Sequence, residues 1–253
     1  MIAFIKQGFT DIHTHILPSV DDGSRNVEAA LELLRLQKNS GVERVILTPH
    51  FYPQTEDLAD FLARRTQAYA MLLGQWEEAT MPRLQLGAEV HYSPALVEVD
   101  LCQLTLGGGN YLLLEMPDYE VPAHVEQVVV QILQKGIIPI LAHVERCAYF
   151  RSQPEMLLRL VQIGALGQIS AKAIHDKKDR GFAVNCIKNG LGHILASDIH
   201  SITGNDLCLG ELAGGKYEEL LAWTETFAQA VWNDTPLPPF AVRPVKRSLF
   251  GYR

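Results

Sequence analysis

Acidic and histidine side chains stand at the ends of most of the apolar segments in this sequence. Six of the seven segments with the pattern of buried β-strands run directly into His, Asp or Glu. These residue types hold divalent metal ions and transfer protons in enzymes. The side chains concerned are those of His13, His15, His50, Glu89, Glu115, His143, Asp198 and His200. Because this set exceeds what one metal ion needs, the pattern indicates a centre with more than one ion.

The signals from the individual histidines differ in strength. His13 and His15 form a His-x-His pair, and because side chains alternate along a strand, both imidazoles project to the same side. His50 follows a Thr-Pro pair and, taken alone, fits a turn equally well. Only the convergence of several such residues makes metal binding the better interpretation.

Glu115 and Arg146 allow two interpretations. A carboxylate that ends an apolar strand needs a positive partner, either a metal ion or a basic side chain. Arg146 follows His143 by three residues, and its planar guanidinium suits a phosphate group. The sequence leaves open whether Arg146 binds phosphate or pairs with Glu115.

Strand and helix candidates alternate along the chain, which predicts a parallel sheet with right-handed crossovers. Seven strands in one chain favour a barrel, in which the carboxyl ends of all strands share one face. Asp198 and His200 fit a buried ion pair as well, but they end the last strand, beside the first one, and this favours metal. The predicted strands are 9–12, 44–48, 84–90, 111–115, 137–142, 165–170 and 193–197. The predicted helices are 26–38, 55–78, 121–135, 154–163, 176–188 and 216–232.

Composition excludes several classes of protein. The chain has 253 residues, 47% of them apolar, and a formal net charge of −7. That charge argues against nucleic acid or an anionic membrane as a general partner. No apolar run approaches the length of a membrane span and no secretory signal is visible, so we expect a cytoplasmic protein. The four cysteines form no Cys-x-x-Cys pair, and none precedes an arginine by six positions, which excludes the cysteine-nucleophile phosphatase loop.

The remaining histidines serve as an internal comparison. His124 and His175 lie near predicted helix starts, and His193 opens a strand at the opposite, non-catalytic end of the barrel. We expect structural or solvated roles for these three. His91 shares strand parity with Glu89 but is left out of the ligand set because the strand can end before it.

The motif series resembles the polymerase and histidinol phosphatase (PHP) superfamily. Within it, the chain is most similar to the metal-dependent bacterial protein-tyrosine phosphatases of capsule and exopolysaccharide operons. The resemblance runs in order over almost the whole chain and implies a distorted (β/α)7 barrel. The motifs are DIHTHILPSVDDGS at 11–24, TPH at 48–50, GAE at 87–89, LLE at 113–115, AHVER at 142–146 and ASDIH at 196–200.

The resemblance also implies a set of ligands for two or three divalent metal ions, usually manganese, although imidazole and carboxylate donors suit Fe or Zn as well. The first ion would be held by His13, His15, Glu89 and Asp198. The second would be held by Glu89, Glu115 and His143. The third would be held by His50, His200 and a carboxylate of Asp21 or Asp22, with Asp22 preferred. Arg146 matches an arginine that grips phosphate, and Asp198 or His200 would supply a proton to the leaving group where one is needed.

Two positions depart from this branch of the superfamily. Lys172 stands where the branch usually has glycine, and Asn205 stands where it usually has a second phosphate-binding arginine. We therefore count both among the candidate substrate-binding residues, with Lys172 as a replacement for the missing cation. The alternative, that Lys172 joins Lys177 and Lys178 on a solvated surface, is equally open.

The resemblance implies hydrolysis of phosphotyrosine on a protein, with a bacterial tyrosine kinase that regulates polysaccharide synthesis as the expected partner. Two alternatives remain: a phosphatase for a small molecule such as histidinol phosphate or a sugar phosphate, and a catalytically weak metal-binding scaffold. A nuclease is disfavoured because the chain is acidic. Residues 1–232 are expected to form the barrel domain and residues 233–253 a proline-rich basic arm.

Overall fold

A computed structural model describes residues 8–202, 209–245 and 252. In that part of the chain, short parallel strands alternate with helices. The strands are β1 Phe9–Asp11, β2 Val42–Leu47, β3 His50–Phe51, β4 Arg83–Leu86, β5 Glu89–His91, β6 Tyr111–Glu115, β7 Ile138–Leu141, β8 Leu166–Ser170 and β9 Ile194–Ala196. The α-helices are α1 Val27–Asn39, α2 Leu58–Leu73, α3 Val125–Gln134, α4 Ala148–Ser152, α5 Pro154–Ile163, α6 Ala171–His175, α7 Arg180–Lys188 and α8 Glu218–Trp232.

The strands occupy seven positions around a distorted barrel. They pair in the orders β1-β2-β4 and β3-β5-β6-β7-β8-β9, and every pair is parallel. β3 continues β2 after Pro49, and β5 continues β4 after Ala88. Each of these two pairs of strands therefore occupies one position in the barrel, with one strand in each sheet, so the nine described strands fill seven positions. A parallel bridge between Thr14 and Ile199 joins the first position to the last. The predicted (β/α)7 architecture is confirmed.

Two predicted strands differ from the strands that the structure contains. The segment 44–48 lengthens to β2 and is followed by the separate β3, because Pro49 has no N–H to donate to a ladder. The single strand predicted for 84–90 was wrong: β4 and β5 are separated at Gly87 and Ala88. A Cβ on Gly87 would lie 2.6 Å from the end of the Leu106 side chain, so a larger residue here would have to displace that side chain.

Some predicted helices were too long at one or both ends. The helix predicted for 55–78 begins at Leu58, where the Asp57 side chain accepts the N–H groups of Ala59 and Asp60, and it ends at Leu73. The helix predicted for 176–188 begins only at Arg180, because Asp176 has an extended backbone. The short helices α4 and α6 and the 3₁₀ turns Pro94–Glu98, Leu101–Gln103 and Leu106–Gly108 were not predicted.

The core has two layers, and strand parity assigns each residue to one of them. In β6, Leu112 and Leu114 pack toward the helices, whereas Tyr111 and Leu113 join the cluster that fills the barrel. Because side chains alternate along a strand, Glu115 has the parity of the inner set. The apolar pattern therefore fixes the direction in which this carboxylate points.

His193 lies at the closed end of the barrel, as the sequence predicted for a structural histidine. Its Nδ1 accepts the N–H of Gly167 at 3.0 Å, and its ring packs against Phe227 and Phe240. Phe240 belongs to the segment after α8, which covers this end of the molecule. Burial lowers the pKa of His193 to about 3.

This depressed pKa predicts acid sensitivity of the fold. Between about pH 6.5 and pH 3 the unfolded chain binds a proton at His193 that the native chain rejects, so stability falls as the pH falls through this window. The slope contributed by one such group approaches about 1.4 kcal/mol per pH unit. Urea unfolding between pH 7 and pH 4.5 should show a shallower loss of stability in His193→Gln than in the wild type. The matched variant at the exposed His175, His175→Gln, should keep the wild-type slope, and equal slopes in all three proteins would contradict the assignment.

The described helices include none that is both long and apolar enough to cross a membrane.

Candidate metal centre

All nine side chains predicted as metal ligands lie at one end of the barrel, at the carboxyl ends of the strands or in the loops that follow them. Three overlapping groups have ligand atoms within 4.8 Å of one another. The groups are His13, His15, Glu89 and Asp198; His50, Glu89 and Glu115; and His15, Asp22, His50 and His200. Because Glu89, His15 and His50 each belong to two groups, the three form one continuous centre.

The first group is the most buried. The Nε2 atoms of His13 and His15 lie 3.0 and 3.1 Å from Glu89 Oε2. The same nitrogens lie 3.3 and 3.4 Å from Asp198 Oδ1, and they are only 3.1 Å from each other. His13, His15 and Glu89 have no exposed surface. These four residues are the set that the sequence assigned to the first metal ion.

The hydrogen bonds behind these imidazoles fix which nitrogen faces the centre. His13 Nδ1–H donates to Gln168 Oε1 at 3.1 Å, and His15 Nδ1–H donates to Asp21 Oδ2 at 2.7 Å. With the protons on Nδ1, both Nε2 atoms present lone pairs to each other and to two carboxylates. Such a cluster of acceptors needs a positive charge among them, and this donor set fits a divalent metal ion.

The pKa shifts in the cluster also show that its carboxylates stabilise positive charge beside them. Burial alone lowers the pKa of His13, but the carboxylates of Glu89 and Asp198 outweigh this effect and raise it to about 9. Burial alone raises the pKa of Glu89, but the neighbouring histidines hold it well below its usual value. The carboxylates are therefore ionised at neutral pH.

The second group differs in one member from the expected set. His143 Nε2 lies 3.0 Å from Glu89 Oε1 and 3.9 Å from Glu115 Oε1, as expected for a shared ion. His50 Nδ1 also reaches this group, at 3.2 Å from Glu89 Oε2 and 3.6 Å from Glu115 Oε2. The two nitrogens of His50 face different groups. A neutral imidazole has one lone pair for a metal ion, so His50 would serve either the second group or the third, and it could serve both only as a bridging ligand.

The third group separates the roles of the two adjacent aspartates. Asp22 Oδ1 lies 3.6 Å from His200 Nε2 and 3.8 Å from His50 Nε2. Asp21 instead accepts from His15 Nδ1 and from the backbone N–H of His50 at 3.1 Å. This geometry favours Asp22 as the candidate metal ligand, whereas Asp21 orients the His15 ring.

A glycine lets the aspartate loop fold against the first strand. A Cβ on Gly23 would lie 1.8 Å from the carbonyl oxygen of His15. Gly23 N–H donates to Asp21 Oδ1 and Ser24 N–H donates to the His15 carbonyl, both at 3.0 Å. The loop is therefore pinned to the strand that carries His13 and His15.

Two predicted ligands have backbones that non-glycine residues rarely adopt. His143 has φ 31° and Asp198 has φ 56°. Such conformations cost about 1–3 kcal/mol each and persist where the surroundings impose them, commonly at active sites. The adjoining chain holds Asp198 in place, since its N–H donates to the His13 carbonyl at 3.0 Å.

Arg146 lies at the edge of the first group. Its Nη1 is 3.6 Å from Asp198 Oδ2, and its Nη2 is 3.3 Å from Asp118 Oδ2. The ion pair with Glu115 that the sequence left open is absent from the described residues, where Glu115 instead accepts from His91 Nδ1–H at 3.0 Å. The guanidinium is 46% exposed and can reach a ligand in the mouth.

A cavity of about 310 Å³ opens beside Arg146. Lys172 contributes to its wall together with Asp198 and His200, and Lys172 makes no ion pair with any residue that the structure describes. Because Lys172 is also exposed, its substrate-binding role stays a prediction. Asn205 lies outside the described residues. A larger groove of about 750 Å³ runs along α3, and none of the clustered ligands lines it.

The sequence did not identify Gln168 as part of the site. Its Oε1 accepts both His13 Nδ1–H and the His143 backbone N–H, so it connects two predicted ligands. The available signal was a polar residue in the middle of a buried strand. His91 also enters the site, behind Glu115, whereas His124, His175 and His193 belong to none of the groups found among the described residues.

Comparison with known proteins agrees with this geometry. Residues 9–206 match the family described as capsular polysaccharide synthesis, CpsB/CapC. The chain is 32% identical to the tyrosine-protein phosphatase YwqE of Bacillus subtilis, over 96% of this chain and 99% of that protein. It is 28% identical to the tyrosine-protein phosphatase CpsB of Streptococcus pneumoniae, over 76% of this chain and 83% of that protein.

The fold has a counterpart of known structure. A chain from the crystal structures of YwqE and CpsB, described as unique metal-dependent tyrosine phosphatases, superimposes with a TM-score of 0.81 and 27% identity. The match covers 94% of the present chain and all of that one. Together with the family match over most of the sequence, this similarity shows that the chain belongs to the CpsB/CapC family of capsular polysaccharide synthesis proteins.

Proposed function

We propose that this protein is a metal-dependent phosphatase that hydrolyses phosphotyrosine on a protein. The observation that carries the proposal is the cluster of acceptors around Glu89, with the Arg146 guanidinium at its edge. Its relatives carry the name tyrosine-protein phosphatase, which supports the substrate class. A bacterial tyrosine kinase that regulates capsular polysaccharide synthesis is the proposed protein substrate.

The ligands divide among two or three divalent ions. His13, His15, Glu89 and Asp198 would hold the first, and Glu89, Glu115 and His143 the second. His50, His200 and Asp22 would hold a third. When bound, such ions lower the pKa of a water molecule and neutralise charge that develops on a phosphoryl group. The mixed donor set suits Mn, Fe or Zn, and manganese is our proposal.

The protein's own residues supply the remaining parts of the reaction. Arg146 binds two phosphoryl oxygens through its planar fork and stabilises them as the negative charge grows. His200 Nδ1–H donates to the Asp198 carbonyl at 2.9 Å, which leaves Nε2 as an acceptor and favours His200 as a ligand over a proton donor. Proton donation by Asp198 or His200 is therefore secondary, because a phenolate with a pKa near 10 leaves without a strong general acid.

A cysteine mechanism does not fit this chain. Cys147 is the thiol nearest in sequence to Arg146, but it is fully buried, and burial raises its pKa to about 12. Cys102 and Cys186 are likewise free thiols, a condition that suits a reducing cytoplasm.

The rim of the mouth favours a protein over a small molecule as substrate. Exposed apolar side chains occur in the loops that follow three different strands at the metal-ligand end. They are Tyr52 after β3, Tyr119 and Val121 after β6, and Ile202 after β9. In the proposed complex, a protein substrate would cover some of these side chains, and burial of apolar surface favours binding.

Metal analysis combined with a substrate panel tests this proposal. The panel compares a phosphotyrosine peptide, a phosphoserine peptide of the same sequence and histidinol phosphate. We expect metal-dependent turnover that is fastest on the phosphotyrosine peptide and unchanged within a few-fold in Cys147→Ser. Preference for histidinol phosphate would favour the small-molecule phosphatase, and no turnover with any added metal would favour the scaffold.

Lys172 gives a further prediction about phosphate binding. If its ammonium replaces the arginine that Asn205 displaces, Lys172→Ala should lower kcat/KM on the phosphotyrosine peptide by about tenfold, the worth of one charge-assisted hydrogen bond. Adding Asn205→Arg to that variant should recover a good part of the loss, which steady-state kinetics on the single and double variants would reveal as coupling. The exposed Lys178, in the turn after α6, provides the control Lys178→Ala. Additive effects, or equal losses in the two lysine variants, would contradict the exchange.

A further inference from the structure

A row of aromatic rings leads from the buried metal ligands to the surface. The His200 and His15 rings stack with centroids 4.0 Å apart, and His15 and His50 lie 4.5 Å apart. Tyr52 continues the row, stacked on His50 at 5.4 Å and in contact with His91 at 5.5 Å. Tyr52 is therefore the outer member of a row whose inner members are predicted ligands.

Tyr52 packs against two histidines and is still partly exposed. The residue is 40% exposed, whereas the His50 side chain on which it stacks is only 13% exposed. Its hydroxyl makes no hydrogen bond to any described residue, so packing against the two histidines holds the ring. A half-exposed aromatic ring beside a catalytic centre gains free energy when another apolar group covers it.

We propose that the Tyr52 ring is the surface on which the aromatic ring of phosphotyrosine stacks, so that this residue selects aryl phosphates over alkyl phosphates. The inference rests on the proposed function, because it places the phosphoryl group between Arg146 and the clustered ligands. The ester oxygen then lies toward the group that contains His50, His200 and Asp22. The phenyl ring attached to that oxygen reaches the neighbour of His50, which is Tyr52.

The chemistry of the two rings explains the selectivity. Aromatic pairs in offset or tilted arrangements gain more than their buried area alone provides. A phosphoserine side chain has no ring, and only one methylene separates its ester oxygen from the backbone. It therefore makes no aromatic contact with Tyr52. The phosphate contacts are common to both substrates, and only the ring contact distinguishes them.

The test measures selectivity rather than activity. Tyr52→Leu keeps an apolar side chain but removes the ring, and we expect the ratio of kcat/KM for the phosphotyrosine peptide to that for the matching phosphoserine peptide to fall by about two- to tenfold. Tyr52→Phe should keep the wild-type ratio. The difference in leaving-group pKa between the substrates cancels when the ratios of variant and wild type are compared.

A binding measurement covers the case in which phosphoserine turnover is too slow to follow. Inhibition constants of benzylphosphonate and ethylphosphonate, which cannot be hydrolysed at the P–C bond, should show the same loss of preference in Tyr52→Leu. Tyr119→Leu is the control on the same rim, because Tyr119 is 83% exposed and makes no ring contact within the described structure. Metal content should be equal in all variants.

Three results would overturn the inference. If Tyr52→Leu slows both peptides equally, Tyr52 only positions His50. If neither ratio changes, the phenyl ring does not contact Tyr52. If Tyr119→Leu changes the ratios as much as Tyr52→Leu does, the selectivity belongs to the rim in general. Failure of the proposed function is separate from these outcomes, because in that case the wild-type protein would not hydrolyse the phosphotyrosine peptide at all.

Discussion

Glu89→Gln is expected to lower kcat/KM on a phosphotyrosine peptide by about a thousandfold or more, which corresponds to about 4 kcal/mol. The substitution keeps the size of the side chain and removes its charge. Glu89 contacts the nitrogens of four histidines, at 3.0 Å for His13 and His143, 3.1 Å for His15 and 3.2 Å for His50. Without this carboxylate the first two proposed ion sites would lose their shared ligand, so metal content measured by mass spectrometry should fall as well.

Chelation should reproduce this loss in the wild-type protein, and adding back Mn, Fe or Zn should reverse it. The matched control is Glu225→Gln, because Glu225 is an equally buried carboxylate that binds Thr10 and Arg44 away from the centre. That variant should be less stable but should keep its metal content and its turnover per folded molecule. Turnover by thoroughly chelated wild-type protein would refute the whole assignment, whatever the variants do.

Arg146→Lys should lower kcat/KM by about ten- to a hundredfold, or about 1.5–3 kcal/mol, while metal content stays normal. The substitution retains the positive charge near Asp118 and Asp198 but loses the planar fork that binds two phosphoryl oxygens at once. Because the guanidinium stabilises charge that grows in the transition state, the loss should include kcat and should exceed the change in KM. Steady-state kinetics together with metal analysis provides the measurement.

Arg159→Lys is the control for this substitution, because Arg159 forms an exposed ion pair with Glu126 on the outer helices. It should leave both kinetic constants unchanged. A silent Arg146→Lys variant would mean that Arg146 serves only to pair with the two aspartates, and the phosphate would then need another partner at the mouth.

The convergence of most candidate ligands at one end of the barrel could be predicted from the sequence because two rules act together. Side chains alternate along a strand, so Glu115 takes the inner parity set by Tyr111 and Leu113. The carboxyl ends of parallel strands in a barrel share one face, so residues far apart in sequence converge without any knowledge of their contacts. Both rules depend only on local pattern, and a chain of alternating strands and helices satisfies them from one end to the other.

The ends of the strands were less predictable than their positions, because the hydrophobic pattern does not show where a strand is interrupted. Pro49 and Gly87 interrupt two strands for different reasons, a missing donor in the first case and a close approach of Leu106 in the second. Only the first reason is visible in the residue itself.

The sequence alone determined which residue types gather at the mouth of this barrel. The tertiary structure decided how those residues are oriented. The family resemblance offered Asp21 or Asp22 with a preference for Asp22, and the contact of Asp21 with His15 Nδ1 separates the orienting carboxylate from the candidate ligand. Gln168 binds His13 across 155 positions of sequence, a relation that no local pattern encodes. Orientation depends on contacts between distant segments, whereas convergence follows from the order of the strands.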